Sequence, residues 1–426
     1  MKLSYSTSIL WITCHWICTE SCTTLSQVTL LRGARQVLTL HGPKGARRGS
    51  ALQDLGIVQD GSVLIRDGFV IAVGTTRRLE NLKEARGALD IDVHGSVVMP
   101  GFIDAGLKIS LRNGAPDTAG GKPKRIGQFY DESLELLRSC MHHGTLNAEV
   151  KATAAAADFH SDLSVLRRLA KIGNNPVGMV RTWHLRRLPA PGEQMTDFKN
   201  TLARLSRRGL VHFLEITAGD EETVSDELLH AAREADVDMK LHWTGGTARA
   251  LRNVLSRVNP QTVSCSSFLS QAEASVFANC DSAAVFSPGH ELGQPSGQGP
   301  RHAVDAGAAV ALSSGYDASE TPGFSMQMAV SLSVIRSQLT TEEAIAAATV
   351  NAAYAVGCGE TAGTLEQGKR ADILVLTIPD YREIPRQFGI NHVGMVLRDG
   401  TVVYNRSRWK IGAHEPISGR VRAQHI

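Results

Sequence analysis

Between Val28 and Val98 apolar and polar residues alternate with a period of two, in the short runs VTLLRGARQVLTL, GSVLIRDGFVIAVG and LDIDVHGSVVMPG. Asp67-Gly68 divides the second run. An Asp-Gly step between two alternating segments signals a hairpin, because both residues accept the positive φ of a tight turn. This stretch predicts a small all-β unit. From Pro100 onward the period lengthens. SLELLRSCMHHG predicts a helix stopped by Gly144, and LSVLRRLAKIG another stopped by Gly173. Extended apolar runs follow in series: TLNAEV, PVGMVRTWHL, VHFLEIT, VDMKLHW, QTVSCSSF, DSAAVFSP and AAVALSSG. Helical segments such as FKNTLARLSRRG and SDELLHAAREA lie between them. Repeated strand-helix alternation means a parallel sheet, and seven or eight such units close into a barrel.

TEEAIAAATVNAAYAVG predicts one helix, after which short alternating runs return in GTLEQGKRADILVLTIP and HVGMVLRDGTVVYN, the latter with a second hairpin step at Asp399-Gly400. The two chain ends therefore supply two parts of one β unit. The fold class expected is α/β: a (β/α)8 TIM-like barrel with a small β-sandwich formed by both chain ends. Its parts are an N-terminal extension over 1–27, a composite sandwich from 28–98 plus 366–410, the barrel over 99–365, and a tail over 411–426.

Composition narrows the function classes. Of 426 residues, 45 are basic and 42 acidic, a net charge of +3, so no basic excess calls for nucleic acid. Aromatic residues make up 5%, too few for a base-stacking platform. Seven cysteines in a chain this long do not form a disulfide framework. Cys14, Cys18 and Cys22 crowd the N-terminus around His15, but both gaps hold three residues, against the two common in zinc knuckles. The apolar patch ILWITCHWIC is too short to span a bilayer and leads to no small-residue cleavage pattern. A disordered extension, or an overlong start to the reading frame, is the expectation there. No membrane span is expected elsewhere, and the cytoplasm is the expected location.

The segments LIRDGFVIAVG, VVMPGFIDA, TVNAAYAVG, GTLEQGKRADILVL and VLRDGTVVYN resemble the amidohydrolase superfamily, metal-dependent hydrolases on a β/α barrel with this split sandwich. Within it, GTLNAEVKA, RTWHLRRLPAPGE, MKLHWTGG, AVALSSGYDASETPGFSMQMAVSLS and PDYREIPRQFGINHVGMVLRDG are similar to imidazolonepropionases, in the same order. The resemblance runs from about Val28 to Arg406. It implies hydrolysis of a cyclic amide C–N bond by water bound to a zinc or iron ion. That ion would be held by a His-x-His pair on the first barrel strand, histidines on later strands and an aspartate on the last.

The chain departs from that pattern at the residues that would do the chemistry. Gly106 and Lys108 stand at the His-x-His positions, Ser267 (with Cys265 nearby) at a later histidine, and Gly315 at the aspartate, with Asp317 two residues on. Glycine has no ligand atom, and a protonated lysine repels a cation. His242 is the one retained ligand position and the candidate for any metal contact. The Lys-Ser-Gly-Tyr-Gly motif of the family becomes Lys151 followed by Ala152, Thr153 and alanines, and Thr244-Gly245 replaces an acidic residue.

The candidate catalytic residues are His242, Lys108 and Asp317; the candidate substrate-binding residues are His184, Lys151 and Arg112. Lys108 has two readings, a solvated strand-end lysine or a cation buried against Asp104 or Asp317. Cys265, His242, Asp317 and His290 are chemically able to bind metal, but their spacing is no known signature. His142 and His143 read as a helix C-cap. Three functions stay open: a degenerate member with no standard metal centre, expected to need no cofactor; an active C–N hydrolase with an atypical site around His242, using zinc or iron or using Lys108 as an acid–base group; and a module holding a small carboxylate at a cationic mouth of Lys108, Lys151 and Arg112. The partners expected are a small cyclic amide or carboxylate, and a second copy or a catalytic paralogue across the family's dimer surface, with neither nucleic acid nor membrane.

Overall fold

The computed structural model describes residues 27–109, 124–152, 159–172, 175–220, 224–290, 292–293, 295–317, 321, 323–407, 409 and 411–413. Arg112, Cys14, Cys18, Cys22 and the Thr153–Ala157 run lie outside the described residues.

The strand-helix alternation produces eight parallel strands in sequential order. They are Phe102–Lys108, Thr145–Ala152, Gly178–Leu185, Phe213–Ala218, Asp238–Trp243, Thr262–Cys265, Ala283–Phe286 and Ala309–Leu312. We refer to them as the first to eighth barrel strands. The first and eighth share no ladder and are fastened by side chains together with one isolated bridge between Lys108 and Asp317 in the loop after the eighth strand. Asp104, fully buried, accepts from the backbone N–H of Ser314 at 3.0 Å and from the Ser314 hydroxyl. Ser313 Oγ donates to the Gly106 carbonyl at 2.9 Å, and Lys108 N–H to the Tyr316 carbonyl at 2.8 Å. Burial holds the Asp104 carboxyl above its ordinary pKa, against the opposite pull of the Ser314 and Gly106 donors.

Alternation within the strands decides what fills the barrel, since residues i and i+2 share a face. Glu149 and Lys151 point inward from the second strand, Thr182 and His184 from the third, Glu215 and Thr217 from the fourth, and Lys240 and His242 from the fifth. Towards the N-terminal end, Lys240 Nζ lies 2.6 Å from Glu149 Oε2 and donates to the Ala355 carbonyl at 2.8 Å. It also stands 4.1 Å over the Phe213 ring. Thr182 donates to the other Glu149 oxygen at 2.7 Å. A buried ion is tolerated only when partnered in this way.

The chain ends form one nine-stranded sheet beside the barrel. Ile373–Leu376 pairs antiparallel with Val97–Pro100 and so joins the C-terminal strands to the N-terminal ones. Both expected hairpins form, with φ of 50° and 86° at Asp67-Gly68 and 46° and 73° at Asp399-Gly400. The two turns abut: a Cβ on Gly68 would lie 3.0 Å from the Asp399 carbonyl oxygen.

Two details differ from expectation. Ile411–Ala413, read as tail, is a strand pairing with Leu89–Asp92, where it covers an edge that would otherwise expose unpaired backbone. The expected helix TEEAIAAATVNAAYAVG is two helices, Thr341–Ala347 and Val350–Ala355. The break frees the Ala348 carbonyl to accept from Ile103 of the first barrel strand at 2.9 Å. It also sets Asn351 to donate to the Val310 and Arg47 carbonyls at 2.8 and 2.9 Å. Among the described residues, no helix is long and apolar enough to cross a membrane.

Lys240→Met leaves Glu149 buried without its cation and should cost about 3–5 kcal/mol of stability. Adding Glu149→Leu should recover most of that loss. Urea denaturation of both variants checks it, and a double variant no more stable than the single one would refute the pairing argument.

Candidate functional site

The C-terminal ends of the barrel strands open into a cleft of about 310 Å³, whose lining includes Gly106, Lys108, Lys151, His242, Ser264 and Ser287. Its floor is charged. Lys151 Nζ lies 2.6 Å from Glu215 Oε1 and 3.0 Å from Ser264 Oγ, and Ser264 in turn donates to Glu215 Oε1 at 2.9 Å. Burial alone would depress the Lys151 pKa. The carboxylates of Glu215 and Glu149 outweigh it, so the ammonium ends above its ordinary value. Glu215 is lowered, because the Lys151 charge overcomes the cost of burial. The pair is therefore ionised on both sides.

His184 and His242 stand against this pair with their rings 5.5 Å apart. Burial pushes the His184 imidazole down to about 3 and that of His242 to about 4, with the attraction of Glu215 too small to compensate. Both rings are neutral near pH 7. His184 Nε2 lies 3.0 Å from Thr217 Oγ1, and its Nδ1 3.6 Å from Glu215 Oε2. One tautomer, with Thr217 donating to Nε2, would turn an Nδ1 proton towards the carboxylate. At that length the contact is electrostatic, and among the described residues Glu215 Oε2 has no hydrogen-bond donor.

Lys108 ends the first strand with its side chain 26% exposed, and its Nζ lies 3.7 Å from Asp317 Oδ2. Of the two carboxylates considered for it, Asp317 is the neighbour; Asp104 is turned towards Ser314. Asp317 is held in place by paired backbone hydrogen bonds with Thr321, both 2.8 Å. His290 lines the cleft, with Nδ1 3.1 Å from Thr321 Oγ1. Cys265 lines it too, its thiol pushed upward by burial and so no ready nucleophile or ligand. Ser267 is absent from the lining and gives its carbonyl to Gly299 N–H at 2.6 Å. His143 caps the helix Ile126–His142 as expected, with Nδ1 2.9 Å from the Ser139 carbonyl, whereas the His142 ring stacks on Tyr404.

The residues missed by sequence reasoning are Glu215, Ser264, Ser287 and Ser313. Glu215 carried a signal, as a lone carboxylate on the inward face of an apolar strand. The serines carried none, because their role depends on which strand tips meet.

The two substituted tips lack ligand atoms, and a side chain added at either would be crowded by its neighbours. A Cβ on Gly106 would lie 3.0 Å from Ser313 Oγ and 3.4 Å from Lys151 Cε. Gly315 has φ +66°, and a Cβ there would come within 2.7 Å of Ser287 Cβ. Ser313 knots the tips together, accepting from Gly315 N–H at 2.9 Å and lying 3.1 Å from Ser287 Oγ. Among the described residues no three of His, Cys, Asp and Glu gather as a metal-ion donor set. As they stand, Gly106, Lys108 and Gly315 offer no ligand atom for a metal ion, and a side chain added at either glycine would require Ser313 or Ser287 to shift.

Comparison with known proteins places these features. The family model described as "Amidohydrolase family" matches residues 157–404, more than half of the chain. An imidazolonepropionase of Parabacteroides distasonis is 29% identical over 414 residues, covering 87% of this chain and 97% of that protein. One of Bacillus velezensis is 28% identical over 423 residues, covering 90% and 99%. Among solved structures, Aspergillus niger ochratoxinase superposes with a TM-score of 0.66 at 15% identity, over 89% of this chain and 96% of that one, which shows the shared fold.

The imidazoles set a pH dependence. An unfolded histidine binds its proton near pH 6.5, whereas folded His242 does so near 4 and His184 near 3. As pH falls from 6.5 towards 4 the unfolded chain takes up protons that the folded one does not, so stability falls. Urea midpoints between pH 4.5 and 7.5 should drop more steeply with acid in the wild type than in His242→Gln. Equal slopes would mean that His242 is not held neutral by burial.

Proposed function

We propose that this chain, which belongs to the amidohydrolase family, uses the family's barrel to bind a small ligand and has lost the metal-dependent hydrolysis of its relatives. Those relatives are imidazolonepropionases, and likeness along nearly the whole chain makes an imidazolone-type C–N hydrolase the ancestral activity. Hydrolysis of that kind needs an ion that lowers the pKa of a bound water and a carboxylate to take its proton. The observation that carries the proposal is the pair of tips at Gly106 and Gly315. Both lack a ligand atom, and a side chain there would be crowded by Ser313 at 106 and by Ser287 at 315. His242 alone does not make a centre, and the Lys108 ammonium beside it repels a cation.

What the chain retains is the barrel's polar interior. The Lys151–Glu215 and Lys240–Glu149 pairs keep their partners, and the cleft stays open to solvent. Packing and burial explain why such a barrel persists without its chemistry: removing one member of either pair strands the other.

Metal analysis of protein purified without chelators, with a ring-opening assay on imidazolone propionate, tests the reading. Substoichiometric zinc and iron are expected, with no turnover above the uncatalysed rate whether or not metal is added. One zinc or iron per chain, lost in His242→Ala, would contradict the proposal. So would turnover that His242→Ala abolishes, which would favour an active hydrolase with an atypical site.

A further inference from the structure

The charges around the cleft are sorted by sign. Among the described residues of its lining, Lys108 and Lys151 are the lysines and none is a carboxylate. The acidic groups lie behind or to the side: Glu215 beneath Lys151, Glu149 paired to Lys240 deeper in the barrel, Asp104 turned to Ser314, and Asp317 in the loop after the eighth strand. A cleft that presents ammonium groups and buries their counter-charges attracts anions.

The two lysines are not equivalent. Lys151 gives its donors to Glu215 and Ser264 and is 8% exposed. Lys108 is 26% exposed, and Asp317 Oδ2 at 3.7 Å is an ion-pair neighbour beyond hydrogen-bond length. An ammonium has three N–H donors, and Lys108 Nζ gives none of them to a described residue at hydrogen-bonding distance. Beside it stand a neutral His242 ring and the Ser287 hydroxyl, both polar and uncharged.

We propose that the cleft is an anion site: it binds a small organic carboxylate, with Lys108 Nζ as the principal charge partner, at the strand tips where the family resemblance expects a cation. This rests on the metal-free reading of the site. Asp317 is then the internal competitor of the ligand, since both carboxylates seek the same ammonium. The pair is longer than a hydrogen bond and Lys108 is the more exposed partner, so its ammonium can turn to a ligand while staying near Asp317.

Propionate tests this, titrated into metal-free protein and followed by NMR chemical shifts, with methylammonium as the cation control. Propionate should bind and methylammonium should not. Lys108→Met should weaken propionate at least about tenfold, as the loss of a charge-assisted hydrogen bond does. Asp317→Asn keeps the backbone pairing with Thr321 and should tighten binding several-fold. No propionate binding to folded wild-type protein, or an unchanged affinity in Lys108→Met, overturns the anion site and leaves the metal-free reading standing. Propionate binding that appears only after zinc is added contradicts the metal-free reading instead.

Discussion

Four charges are buried inside this barrel as two cross-strand pairs, Lys151–Glu215 and Lys240–Glu149, each with Nζ to carboxylate at 2.6 Å. Taking one such ion out of water costs several kcal/mol, which the partner and the surrounding donors must return. That requirement fixes the rotation of the second, fourth and fifth strands about their axes. With those side chains inward, Thr217 and His242 are inward as well, and on the third strand Thr182 is turned the same way to donate to Glu149. The site at the mouth is the upper storey of the arrangement that packs the barrel. The two histidines are neutral because they share that dry space with ammonium groups, and burial is the first cause of each lowered pKa.

The second constraint is closure. First and eighth strands meet through Asp104, Ser313 and Ser314, not through a ladder; Ser313 crowds a side chain at 106, whereas Ser287 crowds one at 315. On the proposed reading, barrel closure and the absence of a ligand at 106 go together, because both involve Ser313. A single reversion at either glycine meets Ser313 or Ser287 before it meets an ion. The chain keeps the barrel of the amidohydrolase family, and its tips carry small and hydroxyl-bearing residues together with Lys108.

Much of this was legible in the sequence. The period-two runs, the Asp-Gly turns and the repeated strand-helix alternation announced a barrel and a two-part sheet, because each is a local pattern with one economical fold. The blank at Gly106 and Lys108 in VVMPGFIDAGLKISL was equally plain. Two things were not. The partner of a buried lysine is chosen in space, so Glu215, 64 positions from Lys151, could not be read from either segment. Nor could the break at Ala348-Thr349, since an alanine-rich run gives no local reason to stop. The reason is the hydrogen bond from Ile103, far off in the chain.

The central claim is that the strand tips of this barrel hold side chains and hydroxyls where a metal ion would have to sit. Anomalous diffraction at the zinc edge, from crystals soaked in zinc, tests it by position. The account predicts no anomalous peak at the barrel mouth, with Ser313 Oγ bridging Gly106 and Gly315 and Lys108 turned into the cleft. A peak about 2.0–2.1 Å from a ring nitrogen of His242, with further protein ligands around it, would contradict the account.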